Sequence, residues 1–213
     1  KGHVEAMEWL YEKDPSLIKA FTTDGKTPLH SAAQNRHIEA MKWLYEQDQS
    51  LIKAFTTDGK TPLHFAAEKG HVEAMEWLYE KDPSLIKAAT KHGSTPPHYA
   101  SRTSLSTPAR KCHVEAMKWL YEKDRSLIKP VSYLGETPLH YAAERGHVEA
   151  MEWLYEKDPS LIQAVSYIGG TPLHYAAENG HVEAMGWLYK KDPGLIKAFT
   201  TLGKTPLHDA AAK

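Results

Sequence analysis

Histidine is the residue type in this 213-residue chain that most invites a chemical function, because imidazole binds metals and transfers protons near neutral pH. Twelve of the thirteen histidines belong to two recurring motifs. Thr-Pro-x-His ends at His30, His64, His98, His140, His174 and His208, and His-Val/Ile-Glu-Ala-Met begins at His3, His37, His71, His113, His147 and His181. Regular spacing sets equivalent side chains in parallel rows rather than in a convergent cluster. We therefore predict no metal site, and the one remaining histidine, His92, is weak evidence for one.

Carboxylates could also do acid–base chemistry, and they recur at the positions of Glu5, Glu8 and Glu12. These three fall on the polar arc of a helix, and we expect no second carboxylate from another element beside them. The sequence contains no glycine-rich phosphate loop, nucleophile motif or coenzyme fingerprint. It thus predicts no catalytic residue, no cofactor and no enzymatic activity of the chain itself.

The two histidine motifs recur with a nearly constant period, which predicts the fold. Thr-Pro-Leu-His begins at Thr27, Thr61, Thr137, Thr171 and Thr205, and Thr-Pro-Pro-His begins at Thr95. Such a period indicates a solenoid, whose units bury their apolar faces only against their neighbours. We predict one domain over residues 1–213, with partial units at 1–21 and 200–213 and repeats at 22–55, 56–89, 90–131, 132–165 and 166–199.

Each unit has the pattern of a turn followed by two helices. Asp24 and Gly25 signal a tight turn, Thr27 suits a helix N-cap, and Pro28 suits the first helical position. The segment His-Val/Ile-Glu-Ala-Met-x-Trp-Leu-Tyr then has one apolar and one polar face at helical spacing. A following Asp-Pro-Ser sequence predicts where this second helix ends.

Glycine marks the predicted end of the first helix in three units. Gly70, Gly146 and Gly180 stand where a left-handed C-terminal residue is favoured. Arg36 and Cys112 replace this glycine in two other units. If the backbone stays left-handed there, each replacement costs about 1 kcal/mol.

The order of turn, Thr-Pro-Leu-His-x-Ala-Ala, Gly-His and amphipathic helix resembles the ankyrin repeat along the whole chain. The resemblance implies an all-α solenoid of stacked ankyrin repeats, each with an inner helix, an outer helix and a short β-hairpin-like turn. It also implies structural, hydrogen-bonded histidines and a concave surface lined by turns and inner helices. The tetratricopeptide repeat shares a 34-residue period but lacks the Thr-Pro-Leu-His opening. The unit departs from the ankyrin pattern in one extra residue and in its Trp-Leu-Tyr sequence, and neither threatens the fold.

Composition narrows the range of partners and compartments. A formal net charge of -1 argues against nucleic acid or an anionic membrane as the partner, since both need clustered excess Lys and Arg. No run of 18 apolar residues predicts a membrane span. The single cysteine, Cys112, fits a reducing compartment, so we expect a cytoplasmic location, or the host-cell cytoplasm for an effector.

Variation between units predicts a binding surface. The turn tips become apolar and the inner helices aromatic towards the C-terminus. The predicted protein-binding residues are Phe65, Tyr99, Tyr133, Leu134, Tyr141, Glu144, Arg145, Tyr167, Ile168, Tyr175, Glu178 and Asn179. Exposed aromatic residues ringed by polar groups are typical of interface hot spots. Alternatively, this variation is ordinary drift, and the tyrosines stack on their own turns.

Tryptophan recurs once per outer helix and has two interpretations. The positions are Trp9, Trp43, Trp77, Trp119, Trp153 and Trp187. The rings could form a convex aromatic binding strip, or each could be wedged between adjacent outer helices. The second interpretation is favoured because tryptophan tolerates half-burial.

The third repeat carries an eight-residue insertion near 101–112. The segment is basic and rich in Ser and Thr, and with Pro108 it predicts a protruding loop. The loop could contact a partner or be phosphorylated around Thr107, or it could mark a decayed repeat that tolerates insertion. We expect this unit to be the least stable.

These features predict a non-catalytic scaffold that binds another protein on its concave face. The chain has no initiator Met and begins within a repeat, so we expect a module of a larger protein, such as a host-acting effector. The alternatives are a designed or self-associating repeat scaffold and a substrate-recruiting array of a larger enzyme. Self-association would run end to end through termini that lack polar capping units.

Overall fold

A computed structural model describes residues 3–101 and 107–212, except for the side chains of residues 107–111. In this part of the chain all regular secondary structure is helical. The inner helices are α2 (Pro28–Gln34), α4 (Pro62–Glu68), α6 (Pro96–Ala100), α8 (Pro138–Glu144), α10 (Pro172–Glu178) and α12 (Pro206–Ala211). The outer helices are α1 (Val4–Lys13), α3 (Ile38–Gln47), α5 (Val72–Lys81), α7 (Thr107–Lys123), α9 (Val148–Lys157) and α11 (Val182–Lys191).

A short 3-10 helix follows each outer helix and returns the chain to the next turn. These helices are Pro15–Lys19, Gln49–Lys53, Pro83–Lys87, Arg125–Ile128, Pro159–Gln163 and Pro193–Lys197. An aspartate caps each of them; for example, Ser50 N–H donates to Asp48 Oδ1 at 2.9 Å. The aspartate therefore both ends the outer helix and starts the return segment.

Each inner helix begins with a capping box built from the Thr-Pro-x-His motif. In α4, the Thr61 N–H donates to His64 Nδ1 at 3.1 Å, and Thr61 Oγ1 lies 2.9 Å from the same nitrogen. Pro62 occupies the first helical position, where its missing N–H leaves no hydrogen bond unmade. Threonine, proline and histidine thus act together to start the helix.

The core runs through the stack as one cluster of small and aliphatic side chains. In the second complete unit, Leu63, Ala67, Met75 and Leu78 are fully buried. The alanines let the inner helices approach one another closely, and the leucine and methionine fill the space between inner and outer helices. Packing of this kind makes each unit depend on its neighbours for burial.

Four inner helices end at a left-handed residue, and one of these residues is not glycine. Gly70 has φ +69° and Arg36 has φ +56° at the equivalent position. The left-handed conformation on which the expected cost at Arg36 depended is therefore present. The prediction for Cys112 is wrong, because this residue lies inside α7.

The insertion in the third repeat is in part a helical extension rather than a loop. Helix α7 has 17 residues, compared with 10 in α5, and begins at Thr107. Pro108 lies in its first turn, where proline is tolerated, so the prediction of a loop is wrong for residues 107–112. Residues 102–106 and the Thr107 side chain, the proposed phosphorylation target, lie outside the described part of the molecule.

Among the helices of the described residues, none has both the length and the apolar character needed to cross a bilayer.

Candidate protein-binding surface

Backbone hydrogen bonds hold the turns of successive units in a row. Within one turn, Thr56 N–H donates to Lys60 O at 3.0 Å and Gly59 N–H donates to Thr56 O at 2.8 Å. Between neighbouring turns, one N–H of each tip donates to a carbonyl of the preceding tip, as Tyr167 does to Leu134 O at 2.8 Å. Side chains at the tips of adjacent units therefore lie side by side.

The tips of two C-terminal units expose large apolar side chains. Tyr133 is 67% exposed and Tyr167 is 71% exposed, and Leu134 and Ile168 beside them are also exposed. The Tyr167 ring lies so close to the preceding tip that a Cβ on Gly135 would come within 2.8 Å of a ring carbon. Because Gly135 has no side chain, the Tyr167 ring can pack against the preceding tip, and the two tips form one surface.

The extended segment before each tip adds residues that the sequence analysis missed. Side chains alternate along it, so that Val131 and Tyr133 are exposed whereas Ser132 between them is buried. The same alternation exposes Val165 beside Tyr167. The period-two pattern Val-Ser-Tyr in both units was the signal that could have revealed these valines.

Together these residues form a continuous surface, which we call the apolar strip. It consists of Val131, Tyr133, Leu134, Val165, Tyr167, Ile168, Phe199 and Leu202, all of them exposed. At the other end of the array, the tips carry Thr23 with Asp24 and Thr57 with Asp58 in place of the apolar pairs. The tips are therefore polar in the N-terminal half and apolar in the C-terminal half, whereas the exposed residue before each tip is apolar in both halves, as Phe21 and Phe55 show.

Three predicted binding residues are buried, and this corrects the expectation that they line the surface. Phe65, Tyr99 and Tyr141 each have less than 9% of their surface exposed. Each ring meets the motif histidine of the preceding unit edge-on, as Tyr99 meets His64 with ring centroids 5.2 Å apart. Edge-to-face packing of this kind stabilises the contact between units. These rings therefore join repeats and leave little surface to a partner.

Tyr175 is half-buried and links two units through its hydroxyl. The hydroxyl donates to Glu136 Oε1 at 2.8 Å, and its ring lies edge-on to His140 at 5.2 Å. Burial raises the pKa of the Tyr175 hydroxyl, so the phenol stays protonated and serves as a donor. Tyr175 therefore differs from Tyr133 and Tyr167, which are exposed at the tips.

The four predicted polar rim residues lie at the C-terminal ends of α8 and α10. Arg145 is exposed, and its guanidinium lies 3.3 Å from Glu144 Oε1. The side-chain N–H of Asn179 donates to Tyr175 O at 3.0 Å. Glu178 is exposed beside Asn179. These groups can add hydrogen bonds at the edge of an interface, which is the usual place for polar groups.

The first five inner-helix histidines use both ring nitrogens for hydrogen bonds. In His140, Nδ1 accepts from the Thr137 N–H at 3.1 Å, so Nε2 carries the proton and donates to Gly170 O of the next unit at 3.1 Å. Burial lowers the pKa of His30, His64 and His140 to about 4. A neutral ring with both nitrogens engaged joins neighbouring units and has no lone pair left for a metal.

No cluster of three or more His, Cys, Asp or Glu side chains with metal-binding geometry occurs in the parts of the chain that the structure describes.

The tryptophans form contacts between outer helices rather than a binding strip. The five tryptophans after Trp9 each pair edge-on with a tyrosine of the preceding unit, as Trp153 does with Tyr121 at 5.7 Å. Trp77, Trp119 and Trp153 are buried, whereas Trp9 at the N-terminal end is 58% exposed. The interpretation as a wedged ladder is confirmed, and a convex aromatic strip is wrong for the interior units.

The two ends of the described chain expose side chains that interior units bury. Leu207 of α12 is 77% exposed, although the equivalent Leu63 is fully buried. Leu10 of α1 is 48% exposed, whereas the equivalent Leu78 is fully buried. Each end therefore shows half of an interface that the interior units complete.

Comparison with known protein families agrees with this architecture. The profile described as "Ankyrin repeats (many copies)" matches residues 1–45, 98–155 and 139–189, and "Ankyrin repeats (3 copies)" matches residues 47–126. A search among curated proteins gave no match. The matched segments together cover most of the chain, and the repeating helix pairs, capping boxes and turns have the arrangement that the resemblance implied. The chain belongs to the ankyrin-repeat family.

Proposed function

We propose that this chain is a non-catalytic scaffold that binds a protein partner through the apolar strip. Ankyrin repeats are generally protein–protein interaction modules. The observation that carries the proposal is the contrast between the two halves of the array. Identical turns expose Tyr133 and Tyr167 in one half and Thr23 and Thr57 in the other. Exposed large side chains in a contiguous row mark interaction surfaces more often than scattered ones do.

The chemistry of the strip favours a partner with an apolar, extended or helical surface. Burial of apolar surface stabilises a complex by about 25 cal/mol for each Å². Aromatic residues contribute most of the binding free energy at many interfaces. The tips are fixed by hydrogen bonds between backbones, so binding need not order them. Arg145, Glu178 and Asn179 would supply the hydrogen bonds at the edge, as predicted.

A capture experiment tests the role of the strip. The double variant Tyr133→Ser with Tyr167→Ser removes both exposed rings, and Thr23→Ser with Thr57→Ser alters the same two positions at the polar tips. Two aromatic hot spots contribute about 2 kcal/mol or more, which corresponds to at least thirtyfold in affinity. We expect the tyrosine variant to lose its partner and the threonine variant to keep it, with both folded by circular dichroism.

Equal retention of the captured partner by both variants would refute the assignment. Tyr141 and Tyr175 stay unchanged in this experiment because their rings pack between units. A loss of binding that accompanies unfolding would be revealed by the circular dichroism spectrum, and single substitutions would then replace the double variant.

Other parts of the hypothesis belong to the same proposal. The array would act as a module of a larger protein, either a host-acting effector or the substrate-recruiting part of an enzyme, and it would act in the cytoplasm. Its single thiol, Cys112, is exposed, which fits a reducing compartment. The near-neutral net charge of -1 supports a protein partner over nucleic acid or a membrane.

Self-association is a second candidate, supported by the two half-interfaces at Leu10 and Leu207. Contact between the two ends of different copies would be heterologous and would continue as a chain of molecules. Light scattering at increasing concentration tests it, since mass should rise with concentration. A constant monomer mass, or an unchanged mass curve for Leu207→Ser, would count against it.

A further inference from the structure

One position in the repeat carries an aromatic ring in four successive units and an acid in the next. Each ring covers the motif histidine of the unit before it, and the pairs are His30–Phe65, His64–Tyr99, His98–Tyr141 and His140–Tyr175. In the following unit this position is occupied by Asp209, and the motif histidine of the preceding unit is His174. Asp209 Oδ1 lies 4.0 Å from the Lys204 ammonium. No ring covers His174 at this position, and its residual exposure is 3%, compared with 0% for His140.

The substitution leaves an open pocket beside His174, with a volume of about 340 Å³. Ile168, Tyr175 and Leu202 form apolar walls, and Asp209 lies at its edge. Apolar cavities of about 150 Å³ take up benzene, so this pocket has room for one aromatic side chain. Ile168 and Leu202 also belong to the apolar strip, which makes the pocket continuous with the proposed binding surface.

We propose that this pocket binds a phenylalanine or tyrosine side chain of the partner that lies on the apolar strip. The proposal rests on the proposed function and adds the chemical class of the anchoring residue. The bound ring would meet His174 edge-on, as Tyr175 meets His140 at 5.2 Å. Lys204 would lie over it in the way that Lys60, at the equivalent position, lies 5.6 Å from the centre of the Phe65 ring.

The partner's ring would make with His174 the edge-on contact that a Phe or Tyr of the chain makes with the motif histidine in four other units. Those four rings have centroids 5.1 to 5.5 Å from their histidines, so the pocket geometry is one that this backbone already fills with Phe or Tyr. An arginine or lysine side chain is the competing ligand, because Glu178 and Asp209 line the same pocket. The Lys204 ammonium lies 4.0 Å from Asp209 and opposes a second cation, which favours an uncharged ring.

Side-chain analogues test the pocket without knowledge of the partner. The probes are p-cresol for tyrosine, toluene for phenylalanine and n-butylguanidinium for arginine, each titrated into the intact chain while NMR follows the Leu202 methyl groups and the His174 ring. Asp209→Tyr should fill the pocket with a ring of the chain itself. Asp209→Asn is the matched control, which removes the charge and keeps the space.

We expect saturable binding of p-cresol or toluene to the wild type and to Asp209→Asn, and at least tenfold weaker binding to Asp209→Tyr. Equal binding to Asp209→Tyr, or the absence of saturable binding by both aromatic probes, would overturn the proposal. Saturation by n-butylguanidinium alone would overturn it in favour of a basic ligand. Asp209→Phe provides a second filled pocket if the tyrosine variant does not fold.

This test and the capture experiment can fail separately. A pocket that rejects aromatic probes leaves the Tyr133 and Tyr167 result unaffected, because no partner is involved. Retention of the partner by the Tyr133→Ser and Tyr167→Ser variant would refute the strip even where p-cresol binds the pocket.

Discussion

Acidification from pH 7 to pH 5 should destabilise the folded array through three buried histidines. Burial lowers the pKa of His30, His64 and His140 from 6.5 to about 4. In the native fold, Nδ1 of each ring accepts a hydrogen bond from a threonine N–H, and a proton on Nδ1 would remove that acceptor. Lys26 near His30 and Lys60 near His64 further disfavour a positive ring.

The size of the effect follows from proton linkage. Because the folded pKa of each ring lies below the unfolded one, the unfolded chain binds more protons, and stability falls as the pH drops below about 6.5 towards 4. At pH 5 each ring lowers the free energy of unfolding by about 2 kcal/mol relative to pH 7, and the three rings together lower it by about 6 kcal/mol.

Carboxylates affect the free energy of unfolding in a separate, more acidic pH range. Hydrogen bonds from Ser50 and Lys19 hold the pKa of Asp48 at about 2, so its stabilising contribution is present above 3.8 and is lost as the pH falls towards 2. The interval from pH 7 to pH 5 therefore isolates the histidines from this aspartate.

Urea denaturation followed by circular dichroism at pH 7, 6 and 5 measures the effect. His64→Gln should remove about 2 kcal/mol of the pH dependence. NMR titration of the folded protein checks the cause directly. A loss of less than about 2 kcal/mol between pH 7 and pH 5, or a ring of His30, His64 or His140 that titrates near 6.5, would refute the reasoning.

Three further predictions use pairs of equivalent positions or a single strained residue. Leu63→Ala should lower the free energy of unfolding by about 2 to 5 kcal/mol, and Leu207→Ala, at the same motif position but 77% exposed, by less than about 0.5 kcal/mol, both measured by urea denaturation. Trp153→Ala should cost about 3 to 5 kcal/mol and Trp9→Ala much less, and similar losses for the two would contradict the wedged arrangement. In a Glu73→Gln background, which removes the ion pair that Arg36 forms with Glu73 at 2.9 Å, Arg36→Gly should raise the stability by about 0.5 to 1 kcal/mol, because φ is +56° there, and a lower melting temperature would argue against strain.

Features within one repeat were predictable from the sequence because they depend on local contacts. Thr61 and Pro62 predict the start of α4 from their residue types, and the family resemblance implied that His64 forms hydrogen bonds within the unit. The left-handed Arg36 was likewise predictable, since its equivalents in other units are glycines.

Features that depend on contacts between units were harder to predict. The ring of Tyr99 is buried because its edge fits against His64, and no pattern within one repeat shows that contact. The helix over residues 107–112 was missed because a proline usually breaks a pattern, although Pro108 stands in the first turn. The pocket beside His174 requires comparison of Asp209 with four rings in three dimensions.

The hydrogen bonds of the buried histidines also bear on how the chain folds. The bond from His64 Nε2 to Ser94 O joins residues 30 positions apart, and the bond from His98 to Glu136 O crosses the insertion with a separation of 38. Lengthening a loop from 30 to 38 residues adds only about 0.2 kcal/mol to the entropic cost of closing it. The insertion therefore barely slows the docking of the next unit. Both bonds join only neighbouring units, so a unit needs no contact with distant parts of the array. Each unit can therefore dock on the one before it as soon as it leaves the ribosome, without waiting for the rest of the chain.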